Sequence, residues 1–273
     1  YTEYILNLVD TPGHVDFSYE VSRSLAAVEG AILLVDATQG IQAQTLANLD
    51  LAKKQKLVII PVINKIDSPQ AKVEESCREL ANLLEVLPNE IIKISAKNGT
   101  NVEQVLKSII EKIPPPTRPG LVGGPFRALI FDSDYDNFKG VIAYIRVVDG
   151  LIQYGEKIEL LATKTQAEVK ELGYLNPVMN PQKQIFSGEI GYIATGIKEP
   201  GKVRVGDTIV KFQIPDSKFE IPALPGYEEP NSMVFASFYP ENPDDFDLLK
   251  VALSKLKLSD PALVYEPEMK EAL

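Results

Sequence analysis

The sequence has almost no cysteine and no long apolar run. Cys77 is the only cysteine among 273 residues, so no disulfide can form within the chain and a small disulfide-stabilised scaffold is excluded. The longest apolar runs, residues 31–35 and 57–63, are far shorter than the roughly 18 residues that a membrane-spanning helix needs. The first residues do not have the pattern of a secretory leader. These absences predict a reducing, cytoplasmic compartment.

Basic residues are also in deficit, and there is a single histidine. The 28 Lys and Arg residues against 38 Asp and Glu give a formal charge of −10 at pH 7. Proteins that bind nucleic acid over a whole surface neutralise phosphates with Lys and Arg, so any RNA contact of this chain must be local. The apolar share of 45% and the charged share of 24% are typical of globular proteins, which excludes disordered and fibrous classes.

The first 113 residues alternate short apolar runs with amphipathic stretches. The runs predict strands at residues 4–9, 30–35, 57–63 and 90–94. Apolar residues at helical spacing predict three helices, with stripes at Phe17, Val21, Leu25 and Val28; Val73, Cys77, Leu80 and Leu84; and Val102, Val105, Leu106, Ile109 and Ile113. We expect Cys77 in the core for this reason. Such alternation is typical of an α/β domain with a parallel sheet.

Two proline-rich stretches, residues 114–124 and 214–231, divide the rest of the chain and are predicted to be linkers. Residues 125–213 between them show short strands separated by turn signals, which predicts an antiparallel β-barrel. Residues 232–273 predict a strand at 233–239, a helix opened by Asn242 and Pro243, and a strand at 262–265. Because these three elements cannot bury both faces of a sheet, we expect only the start of a third, α+β domain.

Polar residues follow three of the strands in the first domain. Asp10, Thr11, Pro12, Gly13 and His14 follow the first strand and precede a helix. In a parallel α/β sheet, ligands bind at the carboxyl ends of the strands, so this segment lies where a site is expected. The alternative is a simple turn that ends the strand, since Asp, Pro and Gly are common turn residues.

The sequence Asn64-Lys65-Ile66-Asp67 ends a second strand and matches the chemistry of guanine recognition. The carboxylate of Asp67 would accept from the ring N1–H and the exocyclic amine, Asn64 would contact N7, and the stem of Lys65 would lie along the base. Adenine offers the wrong pattern. The alternative is that Asp67 only caps a helix that begins after Ser68 and Pro69.

Ser95, Ala96 and Lys97 end the last strand, where a backbone N–H could meet the guanine O6. This signal is weak by itself because the three residues are compositionally ordinary. The order Asp-X-X-Gly, Asn-Lys-X-Asp, Ser-Ala-Lys, with every motif at a strand end, favours a nucleotide site over three unrelated turns. In that context the lone His14, directly after the glycine that would approach a γ-phosphate, is predicted to orient the attacking water.

These motifs resemble a known family. Residues 10–40, DTPGHVDFSYEVSRSLAAVEGAILLVDATQG, resemble the switch II region of translational GTPases. The segments IFDSDYDNFKGV and IRVVDG, and further on YPENPDDFDLLKVALSKLKLSDPAL and YEPE, are similar to the LepA, or elongation factor 4, family rather than to elongation factor G or Tu. The resemblance covers essentially the whole chain.

The resemblance implies a P-loop GTPase-type G domain at 1–113, a translation-factor β-barrel at 125–213 and the start of a ferredoxin-like domain at 232–273. It also implies site roles. The residues implied to bind GTP and Mg²⁺ or to catalyse hydrolysis are Asp10 (Mg²⁺ through water), Gly13 (γ-phosphate), His14 (hydrolytic water), Asn64, Lys65 and Asp67 (guanine), and Ser95 and Ala96 (closure over the base). The chain begins with Tyr1, and the family's phosphate-binding loop, expected before it, is not in this sequence.

The implied activity is hydrolysis of GTP to GDP and phosphate on the ribosome during elongation, as in back-translocation or translation quality control. The implied partners are ribosomal RNA and ribosomal proteins, with tRNA reached through domains beyond this chain. A monomer is expected, and peripheral membrane association of the full protein is left open. Two alternatives remain: a nucleotide-free fragment that only binds the ribosome, and another translational GTPase related to elongation factor G.

Overall fold

The computed structural model describes residues 4–14, 17–115, 125–212, 221–225, 235–259 and 263–267. The chain divides into two compact units, Tyr1–Thr117 and Arg118–Leu273. Most of the predicted linkers at 114–124 and 214–231 lies outside the described residues. Among the described residues, no helix is both long and apolar enough to cross a membrane.

The first unit is a parallel sheet with helices, as predicted. Its elements are α1 (Ser18–Ala26), β1 (Gly30–Asp36), α2 (Ala43–Lys54), β2 (Val58–Asn64), α3 (Val73–Leu84), β3 (Ile92–Lys93) and α4 (Val102–Lys112), with a 3₁₀ turn at Pro88–Glu90 before β3. The strands lie in the order β1-β2-β3, and both pairs are parallel. The residues of β2 are almost all apolar and are buried from Ile60 to Ile63, as is typical of a central parallel strand.

Helices cover this sheet through three separate apolar clusters. Val35 and Ile63 pack with Cys77 and Leu80 of α3, and on another face Ile60 and Val62 pack with Val105 of α4. Val21, Leu25 and Ala52 join α1 to α2 in a third cluster. Cys77 is buried in the core as predicted, with its thiol 3.5 Å from the carbonyl oxygen of Pro88.

Three predictions for the first unit are wrong. Residues 4–9 form no strand; Ile5 and Leu8 are largely exposed, and without a ladder partner or a buried face nothing holds the segment in a sheet. The last strand is shorter than 90–94, because Pro88–Glu90 makes a 3₁₀ turn. Helix α3 begins at Val73 and not directly after Pro69, since residues 68–71 form a turn that the bond from Ala71 N–H to the Ser68 carbonyl closes.

The second unit is an antiparallel, barrel-like sheet, also as predicted. Its strands are β4 (Arg127–Asp136), β5 (Gly140–Asp149), β6 (Leu151–Gln153), β7 (Lys157–Leu160), β8 (Thr165–Glu168), β9 (Glu171–Asn176), β10 (Val178–Pro181), β11 (Gln184–Phe186), β12 (Ile190–Ala194) and β13 (Thr208–Lys211). Eight of them form one sheet in the order β10-β9-β12-β5-β4-β13-β7-β8, and β6 pairs with β11.

One continuous core fills this unit. Ile130, Ile145, Leu160 and Leu172 are among the side chains with no solvent exposure. Gly173 of β9 has no room for a side chain, because the Asn180 carbonyl oxygen of β10 lies where a Cβ would stand. The paired strands and the common core therefore form one packed body.

The helix predicted after Asn242 and Pro243 is present as α5 (Phe246–Ser259), preceded by a 3₁₀ turn at Pro243–Asp245. Leu258 of α5 is buried in the barrel core, and the Ser133 hydroxyl donates to the Leu258 carbonyl oxygen at 3.5 Å. The strands predicted at 233–239 and 262–265 are not formed in the described parts of those ranges. Phe235 is 92% exposed there, so its side chain is not packed against a core.

Candidate functional site

The carboxyl ends of the parallel strands bring the second and third motifs together. Asp36, the last residue of β1, stands opposite Asn64, the last residue of β2, and Ile63 stands opposite Lys93 of β3. Because all three strands run in the same direction, the loops that follow them emerge from one edge of the sheet. This edge is where the sequence predicts a ligand.

Asn64 connects two of these loops. Its side-chain oxygen accepts a hydrogen bond from the Lys65 N–H at 2.8 Å and another from the Ala96 N–H at 3.0 Å. The backbone supports the same junction, since the Ile66 N–H donates to the Ile94 carbonyl at 3.3 Å. The amide nitrogen of Asn64 carries two N–H donors, which neither of these two side-chain bonds uses.

Asp67 and Ser95 lie at the same junction. Ser95 is buried, and its hydroxyl oxygen accepts from the Asn98 N–H at 3.2 Å. The polar hydroxyl of Ser95 is the main reason that the pKa of the Asp67 carboxyl lies below its usual value, and the charge of Lys97 adds to it. Asp67 is exposed, so the structure presents an ionised, acceptor-only carboxylate to the solvent beside Asn64.

Lys65 makes a contact that the sequence motifs do not predict. Its backbone is left-handed, with φ of 63°, and its ammonium lies 2.6 Å from the Asp36 carboxylate. The other carboxylate oxygen of Asp36 accepts from the Thr38 N–H at 2.8 Å and the Thr38 hydroxyl at 2.7 Å. Partial burial raises the pKa of Asp36, but the bonds from Lys65 and Thr38 outweigh it, so the net pKa is lowered. The position of Asp36 at a strand end is the signal that could have revealed it.

The first motif lies apart from the sheet ladder. Asp10, Gly13 and His14 are exposed and belong to the segment before α1 that forms no strand. The His14 carbonyl accepts from the Phe17 N–H at 3.1 Å, and the two rings meet edge to face with centroids 6.2 Å apart. Among the described residues, nothing lies within 4 Å of where a Gly13 Cβ would stand. The structure therefore brings together Asn64, Lys65, Asp67, Ser95 and Ala96 at one edge of the sheet, and the first motif precedes α1 outside the described strands.

Comparisons with known proteins show which family this chain is similar to. Residues 1–115 match the family model described as the elongation factor Tu GTP binding domain, and residues 140–210 match elongation factor Tu domain 2. The elongation factor 4 of Thermobifida fusca is 52% identical over 270 residues, which cover 99% of this chain and 43% of the relative. For the elongation factor 4 of Thermotoga maritima the identity is 51%, with 99% and 42% covered.

The chain belongs to the elongation factor 4 (LepA) family of translational GTPases. It spans about 43% of the length of the relatives it matches. The predicted membership of the elongation factor 4 family is confirmed. The comparisons favour this family over the alternative of an elongation factor G relative.

Solved structures share the fold of this chain. A crystal structure of a Thermus thermophilus protein has a TM-score of 0.69 at 19% identity, covering 94% of this chain and 51% of the other. A bacterial selenocysteine-specific elongation factor has a TM-score of 0.60 at 25% identity, covering 74% of this chain and 35% of the other. The parallel-sheet domain followed by an antiparallel barrel is thus the fold of translation factors.

Proposed function

We propose that this chain carries the guanine-reading part of a ribosome-associated elongation factor that hydrolyses GTP to GDP and phosphate. The observation that carries the proposal is the junction at which the Asn64 side chain accepts from the Ala96 N–H while the Ile66 N–H donates to the Ile94 carbonyl. Two loops that recognise a base must be held at a fixed separation, and these bonds between the loops do so.

The donors and acceptors at the junction match guanine. The ionised Asp67 accepts from the N1–H and the exocyclic amine, and the amide N–H groups of Asn64 donate to N7. Ala96 donates to Asn64 and so holds the amide in place, while the Ser95 hydroxyl lowers the pKa of the Asp67 carboxyl and so favours its ionised form. The stem of Lys65 covers the base. Adenine has an acceptor at N1 and no amine at C2, so it leaves Asp67 unpaired.

The first motif supplies the residues for the phosphate end. Asp10 is an exposed carboxylate, which fits a ligand that reaches Mg²⁺ through a water molecule. An ion held there would supply positive charge beside the phosphates. Gly13 is open to a close approach of a phosphate, because no described atom lies within 4 Å of where its Cβ would stand. The exposed imidazole of His14 orients the attacking water.

The barrel-like unit and the residues after it serve the ribosome. We assign this role from the family, whose named members are translation elongation factors. Ribosomal RNA and ribosomal proteins are the proposed partners, tRNA is reached through parts beyond this chain, and the compartment is the cytoplasm in which translation takes place. A monomer suffices for this role.

The test is GTP hydrolysis by the full-length product of the gene, measured with and without 70S ribosomes. We expect ribosomes to stimulate phosphate release and excess GDP to compete with GTP, while ADP does not. Guanine nucleotide binding without ribosome stimulation would contradict the translational role. Equal competition by ADP and GDP would contradict the assignment of Asp67 and Asn64 to guanine.

A further inference from the structure

Asp36 is held in a fixed position at the end of β1. Its Oδ1 accepts two hydrogen bonds from Thr38, from the N–H at 2.8 Å and from the hydroxyl at 2.7 Å. Its own carbonyl oxygen accepts from the Gly40 N–H at 2.9 Å, and the next N–H, of Ala37, donates to the Asn64 carbonyl at 3.0 Å. The carboxylate therefore has one orientation, with Oδ2 directed to a different partner.

That partner is the ammonium of Lys65, 2.6 Å from Oδ2. The Lys65 side chain is 55% exposed while that of Asp36 is only 22% exposed. The more exposed ammonium of Lys65 is therefore held by the less exposed carboxylate of Asp36. A lysine stem has four rotatable bonds and loses much side-chain entropy when it is ordered. The ion pair orders this stem before any ligand arrives.

The path of the stem makes the contact useful for binding. Lys65 lies between Asn64 and Asp67, and its ammonium reaches back to the end of the neighbouring strand. Its four methylene groups consequently span from the base-reading loop toward Asp36. A stem fixed at both ends offers a flat apolar surface to an aromatic base.

We propose that Asp36 is a positioning residue for nucleotide binding: by holding the ammonium of Lys65, it keeps the Lys65 stem laid out as one wall of the base site. The inference rests on the proposed function of the site. Asp36 itself touches no base in this scheme, and it acts only through Lys65. It is therefore expected to set the affinity for the nucleotide and not the choice of base, which belongs to Asp67.

The variant Asp36→Asn separates the two interactions of the carboxylate, its hydrogen bonds with Thr38 and its ion pair with Lys65. Its side-chain oxygen still accepts from Thr38, whereas the amide nitrogen that replaces Oδ2 cannot accept from the ammonium. In the full-length product of the gene, we expect calorimetry to show GDP binding weakened about fivefold, as the loss of a partly exposed ion pair predicts. The KM for GTP rises by a similar factor, and the change is confined to KM.

A double-mutant cycle with Lys65→Met tests whether Asp36 acts through Lys65. Methionine keeps an apolar stem but lacks the ammonium, so this single variant is expected to lose about the same affinity. Adding Asp36→Asn to Lys65→Met then causes no further loss. Asp50→Asn is the matched control, because Asp50 forms an ion pair with Lys54 at 2.9 Å on the exposed surface of α2; it leaves GDP affinity unchanged.

Two outcomes would overturn the inference while the proposed function stands. One is GDP affinity in Asp36→Asn equal to that of the wild type, with circular dichroism showing a folded protein. The other is full additivity of the two losses in the double variant, which would assign Asp36 a structural role. A wild-type protein that binds GDP no better than ADP would instead overturn the proposed function, and with it this inference.

Discussion

In the barrel-like unit, six of the eight strands of the large sheet have a hydrogen-bonded neighbour on each side, whereas in the described part of the parallel unit only β2 does. The side chains follow the same contrast. Ile130 and Ile145 have no exposure at all, but Ile32 and Leu34 of β1 are 38% and 54% exposed. One unit is held by its own core, and the other by three small clusters and by side-chain bonds at the strand ends.

This contrast separates stability from recognition. The polar junction of Asn64, Ser95 and Asp67 buries little apolar surface, so changes there should alter ligand choice more than folding. Changes in the barrel core should do the reverse, because a buried aliphatic side chain contributes through transfer and packing. Substitutions in the two regions test whether they differ in this way.

The largest effect is expected at the base-reading carboxylate. Asp67→Asn in the full-length product should shift preference from guanine toward xanthine nucleotides, since an amide donates to the xanthine C2 carbonyl and accepts from N1–H. Sites built on such bonds discriminate by about 10⁴-fold, because a mispaired ligand leaves buried groups unsatisfied. Competition between GTP and XTP measures the change.

The competing account, in which Asp67 caps a helix, predicts a stability loss of about 1 kcal/mol and no change of base preference. The structure already weakens it, since α3 begins at Val73, six residues after Asp67. Continued preference of Asp67→Asn for GTP, in a folded protein, would remove Asp67 from the base-reading site. Asp50→Asn on α2 provides the control for loss of one exposed carboxylate.

The next effect concerns the first motif. His14→Ala should slow ribosome-stimulated hydrolysis by at least about 10²-fold, since a positioned group that orients or deprotonates water contributes on that scale. GTP affinity should change little, because the contact matters mainly in the transition state. Single-turnover phosphate release and equilibrium binding separate the two quantities.

His14→Gln sharpens this experiment. An amide can still hold a water molecule by hydrogen bonds, so part of the lost rate should return. Weakened GTP binding with normal single-turnover hydrolysis in His14→Ala would assign His14 a structural role instead. In that case the edge-to-face contact with Phe17, and not catalysis, would be the role of the His14 side chain.

The next effect is a difference in the free energy of unfolding lost by substitutions in the barrel core and in β1. Ile145→Ala in the barrel core should cost about 2–5 kcal/mol, since Ile145 has no exposure and sits among the continuous core residues. Ile32→Ala makes the same chemical change on β1, where the side chain is 38% exposed, and should cost under about 1 kcal/mol. Urea unfolding of residues 1–273 compares them. Equal losses would show that the two units are not stabilised differently.

Periodicity predicted most of the fold. The parallel sheet, the barrel-like sheet and helices α1, α3, α4 and α5 follow from apolar spacing, because one buried face leaves a regular pattern. Helix α2 was missed, since Leu46 is exposed while Leu49 and Ala52 are buried, and its apolar residues form no stripe. The segment at 4–9 has a strand pattern but no strand, because pairing depends on a neighbour that the local sequence does not specify.

The site was predicted less completely. Motifs at strand ends predict a site that includes Asn64, Asp67 and Ser95, since the chemistry of base recognition restricts the residue types. Asp36 was not identified, because its contact with Lys65 joins residues 29 positions apart, and only the β1–β2 register brings them together. The roles of the site residues stay predictions until the variants above are measured.

The smallest effect is a pH dependence confined to the barrel-like unit. The Tyr174 hydroxyl donates to Glu189 at 2.8 Å, and partial burial together with this bond raises the pKa of Tyr174 from 10.0 to about 12. The protonated phenol is thus favoured in the folded state. Its contribution to stability is fully present below pH 10 and is lost as the pH rises toward about 12.

Tyr174→Phe should flatten the fall in unfolding free energy over that window, whereas Tyr154→Phe, at a 67% exposed position, should leave the slope as in the wild type. Equal slopes in all three proteins would show that the Tyr174–Glu189 bond does not couple the barrel to pH.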